Sequence, residues 1–97
     1  VVLTARKETL GKAAQEALRL AQLEVDFHPL DVAKPESIAT LAQWLSQRYG
    51  RLDVLVNNAG ILLDEQESGL SISRETMLTT FETNTLGPLL LSQALIP

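Results

Sequence analysis

Three short runs of apolar and β-branched residues divide this chain, at positions 1–4, 25–30 and 52–56. Each is followed by a stretch that ends in a helical pattern of apolar residues. That alternation constrains the fold more than any other feature. Strand and helix in strict succession call for a parallel sheet, because each helix returns the chain to the end from which the next strand must start. Helices then cover both faces. Right-handed crossovers bring the C-terminal ends of the strands to one edge, where open sheets of this kind bind their ligands. The residues at those ends are therefore the first candidates for function: Ala5-Arg6, Asp31-Val32 and Asn57-Asn58-Ala59-Gly60.

The intervening segments predict three helices. In the first, Leu10, Ala13, Ala14, Ala17, Leu18 and Ala21 recur at helical spacing, with Lys7, Glu8, Lys12, Gln15, Glu16 and Arg19 on other faces. The second has Pro35 at a first helical position. Its inner stripe is Ile38, Leu41, Ala42, Leu45 and Tyr49, and Gly50 stops it. Lys34 takes the N-cap, where Asp or Ser would serve better. The third strand is apolar on both faces except at Asp53. A polar loop over residues 64–69 leads to a last helix over 75–95. Within that helix Pro88 follows Asn84 by four residues. Proline has no N–H for the Asn84 carbonyl and its ring presses on it, so a kink is expected there.

Composition excludes several classes of function. The 97 residues fit one small domain with a modest core. Twelve acidic against eight basic residues give a net charge of −4, which argues against a nucleic-acid partner. The chain has no cysteine and a single histidine, His28, so disulfides, thiolate chemistry and a zinc site have no support. Lack of cysteine also suits a reducing cytoplasm, the expected location. No apolar run approaches the roughly 20 residues that span a bilayer. His28, Trp44 and Tyr49 are read as packing or surface residues. The chain opens on Val-Val-Leu-Thr, without Met or a preceding turn, and closes straight after a helical pattern. Both ends are read as cuts in a longer protein.

Three motifs occur in a telling order. Residues 52–60, ending in Asn57-Asn58-Ala59-Gly60, resemble the Asn-Asn-Ala-Gly motif of the short-chain dehydrogenase/reductase family with its preceding strand. Asn84-Thr85-Leu86-Gly87-Pro88 and Leu95-Ile96-Pro97 are similar to that family's Asn-x-x-Gly…Leu-x-Pro helix. Leu30-Asp31-Val32 followed by Ser37 matches its adenine-side motif. The resemblance covers essentially the whole chain, and residues 1–6 with Phe27-His28 are closest to the carbonyl reductases. It implies a doubly wound, parallel-sheet α/β dinucleotide-binding (Rossmann) fold, of which residues 1–97 would form the central part.

The resemblance also assigns roles. Arg6 is either a solvated charge at a strand end or the partner of a 2′-phosphate. The second reading is preferred, because the ribose 2′ position lies beside this strand end. The acid that a NAD enzyme usually carries falls in this family at Ala5, which offers no acceptor. The cofactor is thus expected to be NADP. Asp31 would accept from the adenine amino group, and the Val32 N–H would meet a ring nitrogen. Asn58, Ala59 and Gly60 would lie against the cofactor ribose, their small side chains permitting close approach, while Asn57 would tie neighbouring strands. Asn84 would be the fourth member of an Asn-Ser-Tyr-Lys tetrad, its carbonyl anchoring a proton-relay water.

The family's glycine-rich pyrophosphate loop would precede Val1, and its catalytic Ser and Tyr-x-x-x-Lys would follow Pro97. The family's sheet order would put the strand before Val1 between residues 1–4 and 52–56, and the other neighbour of 52–56 after Pro97, so residues 1–4 are expected to pair with 25–30 and residues 52–56 to be left without a partner. The expected activity of the parent protein is hydride transfer between NADP(H) and a small carbonyl or alcohol substrate, with the segment itself inactive. The alternative is a non-catalytic NADP-binding sensor or scaffold on the same fold, distinguished by whether Tyr-x-x-x-Lys is present.

Overall fold

In the computed structural model, which describes residues 1–63 and 66–96, two of the three apolar runs form a sheet. Strands β1 (Val2–Ala5) and β2 (Asp26–Pro29) pair in parallel, with Val2 opposite Asp26 and Ala5 opposite Pro29. Helix α1 (Glu8–Leu20) makes the crossover between them, and α2 (Pro35–Arg48) follows β2. A last helical segment comprises α3 (Arg74–Phe81), a π-helical turn (Glu82–Leu86) and α4 (Gly87–Leu95). The expected loop over residues 64–69 falls partly outside the described residues, as does Pro97 of the closing motif.

Successive residues of a strand point to opposite faces, and β2 shows which helix takes which. Phe27 faces α1, whose buried Gly11 leaves room for its ring; any Cβ there would collide with it. Asp26, His28 and Leu30 face α2. Leu30 joins Val32, Ile38, Leu41, Leu45 and Leu91 in the buried core, which lies between the sheet, α2 and α4. Trp44 packs on His28 with ring centroids 4.8 Å apart. At the strand's start Asp26 accepts from the Tyr49 hydroxyl and pairs with Arg48, Nη2 to Oδ2 3.3 Å. The Tyr49 hydrogen bond and then the Arg48 charge hold the Asp26 carboxyl below its usual range. The three residues without an expected role thus fasten the end of α2 to the outer strand.

The second helix forms as its sequence dictates. Lys34 provides no side-chain cap, and Gly50 ends the helix at φ +76°, its N–H on the Leu45 carbonyl at 3.2 Å. Such a left-handed conformation is strained for other residues. The first helix differs from expectation. Leu10, Ala13, Ala14 and Ala17 are exposed, Leu10 by 63%. Of the expected stripe Leu18 does turn to the sheet, but it is joined there by Gly11 and Gln15, with Gln15 Nε2 donating to the Val25 carbonyl at 2.7 Å. The bulk of Phe27 selects that face, because only glycine allows the helix close enough to the strand.

The third run behaves as the family's sheet order implies for residues 1–97. Residues 52–56 make no sheet ladder. Val54 and Val56 are 74% and 76% exposed, while Leu55 packs against the core. Between this run and β1 lies an open groove of about 660 Å³, lined by Val2, Thr4, Leu55, Val56, Leu91 and Leu95 among others. Parallel neighbours stand about 4.8 Å apart, and the run lies across the groove from β1. It therefore has no strand partner among the described residues.

Candidate functional site

Three separate segments meet at the C-terminal ends of the strands. Thr4, Ala5 and Arg6 leave β1; Leu30, Asp31 and Val32 leave β2; residues 56–61 follow the unpaired run. Together with Pro88 and Leu91 of α4 they line one cleft of about 310 Å³. Arg6, Asp31, Val32, Asn58, Ala59 and Gly60, chosen from sequence across 55 positions of chain, all border it.

Each segment is held by local chemistry. The Asp31-Val32 turn is closed from three sides. The Asp31 N–H donates to Ser37 Oγ at 2.9 Å, the Ala33 N–H to Asp31 Oδ1 at 3.0 Å, and the Lys34 N–H to the Asp31 carbonyl at 3.0 Å. Short side chains that accept from the backbone two residues on are ordinary turn formers. The contact explains why Ser37 accompanies Asp31 in the motif: it satisfies an amide at the strand's exit. Val32 is buried and Asp31 half-buried, whereas Arg6, Asn58, Ala59 and Gly60 are exposed to the cleft or solvent.

Asn84 does not line the cleft; its side chain grips the backbone beside it. Its Nδ2 donates to the Ile61 carbonyl and its Oδ1 accepts from the Ile61 N–H, both at 2.8 Å. This two-point clasp fixes the chain where it leaves Asn57-Asn58-Ala59-Gly60. Asn57 reaches Ser92 of α4, Nδ2 to Oγ 3.5 Å. A Cβ on Gly60 would meet only Asn84 Oδ1 at 3.5 Å, an ordinary contact. Packing within the chain does not demand glycine there.

The bend expected at Pro88 takes the form of a π-turn. Through residues 82–86 the ladder slips by one residue, and the Gly87 N–H bonds to the Glu82 carbonyl. The π-turn ends at Gly87, directly before Pro88, which offers no N–H to the Asn84 carbonyl. Ser73 caps the start of this segment, its Oγ accepting from the Thr76 N–H at 3.1 Å.

Two glycines carry close approaches that sequence reasoning did not assign. One is Gly11 beneath Phe27. The other is Gly87, buried where α4 meets Val32. An isolated glycine in a helical pattern was the available signal in both cases, but its contact partner lies far away in sequence. Among the described residues no cluster of metal-ligating side chains occurs, and no helix is long and apolar enough to cross a membrane.

Comparison with known proteins agrees with this architecture. The family profile for short chain dehydrogenase matches residues 1–97. Carbonyl reductase (NADPH) 1 of Mus musculus is 40% identical over 98 residues, covering all of this chain and 34% of that protein. Carbonyl reductase (NADPH) 3 of Rattus norvegicus is 52% identical over 61 residues, 63% of this chain and 22% of that protein. The crystal structure of a metagenomic short-chain oxidoreductase in complex with NADP superposes with a TM-score of 0.90 at 31% identity, covering 100% of this chain and 43% of the other. The parallel strands, flanking helices and cleft at the strand ends are those of a partial dinucleotide-binding fold, and the chain belongs to the short-chain dehydrogenase family. It spans about a third or less of the length of the curated relatives it matches.

Proposed function

We propose that these 97 residues are the central part of a single dinucleotide-binding domain. Its parent protein would be an oxidoreductase that moves a hydride between NADP(H) and a carbonyl or alcohol. The observation that carries this reading is the convergence of Arg6, Asp31-Val32 and Asn58-Ala59-Gly60 on one cleft from three different strand ends. The residues suit an adenine nucleotide with a 2′-phosphate. Arg6 supplies a fixed positive fork for the phosphate, and Ala5 removes the acceptor that a 2′-hydroxyl would want. Asp31 spends one carboxylate oxygen on the Ala33 N–H and keeps the other for the adenine amino group. Gly60, free of any packing demand, lets backbone approach the ribose. The relatives whose names or titles mention NADPH or NADP support the same cofactor.

When bound, the nicotinamide supplies the hydride; the chain's own part is to orient and to move protons. Asn84 fixes Ile61 with its side chain, and its main-chain carbonyl, denied the N–H of Pro88, is the acceptor that would hold a proton-relay water. The groove beside β1 would take the strand that precedes Val1, and the general acid would come from beyond Pro97. We place the protein in the cytoplasm, where a cysteine-free chain suits the reducing conditions.

The test is the full-length protein mixed with NADPH and a panel of aldehydes and ketones, following the loss of NADPH absorbance. Stoichiometric NADPH binding without oxidation by any carbonyl would overturn the enzymatic reading. In the same protein, Pro88→Ala is expected to return an N–H to the Asn84 carbonyl and to narrow the π-turn. Turnover should fall more than NADPH affinity does. An unchanged kcat would show that Pro88 is not what frees that carbonyl.

A further inference from the structure

The first turn of α4 runs directly against the turn that leaves β2. A Cβ built on Gly87 would lie 2.8 Å from Val32 Cγ2, 2.9 Å from Val32 Cβ and 3.0 Å from the Val32 carbonyl oxygen. A rotamer change at Val32 could relieve the first of these contacts but neither of the others, which involve Cβ and backbone. Val32 cannot simply retreat. It is 8% exposed, in a core cluster with Leu91 at 4%. It also follows Asp31, whose N–H, carboxylate and carbonyl are all engaged by Ser37, Ala33 and Lys34. A push on Val32 is therefore passed to Asp31, and the turn moves as one body. Pro88 and Leu91, from the same stretch of α4, line the cleft alongside Asp31 and Val32.

We infer that Gly87 is a positioning residue for the adenine end of the cleft: by carrying no side chain it sets how deeply the Asp31-Val32 turn sits on α4. The inference rests on the cofactor reading above, which assigns adenine to Asp31 and Val32. It adds a residue that need not touch the ligand and acts through the turn. The same glycine ends the π-turn that carries Asn84.

The experiment uses the full-length protein and two probes, 2′-phosphorylated AMP for the adenine end and nicotinamide mononucleotide for the other. Gly87→Ala is expected to weaken the AMP probe roughly tenfold or more, the scale of forcing an extra methyl into a packed contact. Its affinity for the mononucleotide should hardly change. Adding Val32→Gly removes two of the three crowded atoms, so the double variant should bind the AMP probe better than Gly87→Ala alone. If Gly87→Ala fails to fold, the double variant is expected to restore both folding and binding. Equal losses for both probes, an unchanged AMP affinity, or a double variant no better than Gly87→Ala would each overturn the inference. Failure of the unmodified protein to bind the AMP probe would overturn the cofactor reading, and this inference with it.

Discussion

Produced by itself, the 97-residue chain is expected to show no sharp thermal transition, to bind no NADP(H) measurably and to reduce no carbonyl. The physical reason is the state of residues 52–56. Without a ladder on either side, this run gains none of the backbone hydrogen bonds that a central strand makes, and Val54 and Val56 stand mostly in water. The groove beside it is lined by Val2 and Thr4 of β1 and by the half-buried Leu95. Among the described residues seven apolar side chains are buried, and none is fully so. Domains are stable by only about 5–15 kcal/mol, and each apolar side chain left in water forgoes about 1.5–3 kcal/mol of burial. An open, apolar strand flank is also a template for pairing between molecules. Unfolding of the purified segment by heat and urea, with NADPH titration, is the measurement. A reversible, cooperative transition of a soluble monomer would show that two strands and the helices packed on them suffice.

In the full-length protein, Arg6→Ala is expected to weaken NADP(H) by roughly 10- to 150-fold, with little change for NAD(H). A charge-assisted bond to the 2′-phosphate contributes about 1.5–3 kcal/mol, and NAD has no such phosphate to lose. Arg6 follows β1 directly and lines the cleft with Ala5. Arg6→Lys should retain part of the preference, because lysine keeps the charge but loses the planar fork. Binding titrations with both cofactors check the result. Equal losses for NADP and NAD would mean that Arg6 serves the protein's general field and not the phosphate. The interaction should also weaken as salt is raised, since the guanidinium is exposed.

Much of this was legible in the chain itself. The alternation of strand and helical patterns dictated a parallel sheet, and the residues at the strand ends followed from that order alone. Pro35, Gly50 and Pro88 marked a helix start, a helix stop and a break, each for a local steric reason that needs no knowledge of neighbours. The pairing of Asp31 with Ser37 was present as a motif, although its hydrogen bond was not. The family likewise rested on motif order.

Other features depended on contacts that sequence does not print. The apolar stripe of α1 looked like its buried face, yet Gly11 and the ring of Phe27, sixteen positions apart, turned another face to the sheet. The run 52–56 has every local property of a central strand, but a strand exists only where a neighbour accepts its hydrogen bonds, and β1 stands across a groove from it. Asn84 was singled out for its carbonyl, while its side chain proved to hold Ile61, 23 positions away. The chain alone determined the order of elements, the helix boundaries and which residues stand at the strand ends, because these obey short-range sterics and hydrogen bonding. Only the tertiary structure decided which face of α1 is buried, how Asn84 clasps Ile61, and how Gly87 meets Val32, because each depends on the distance between surfaces remote in sequence.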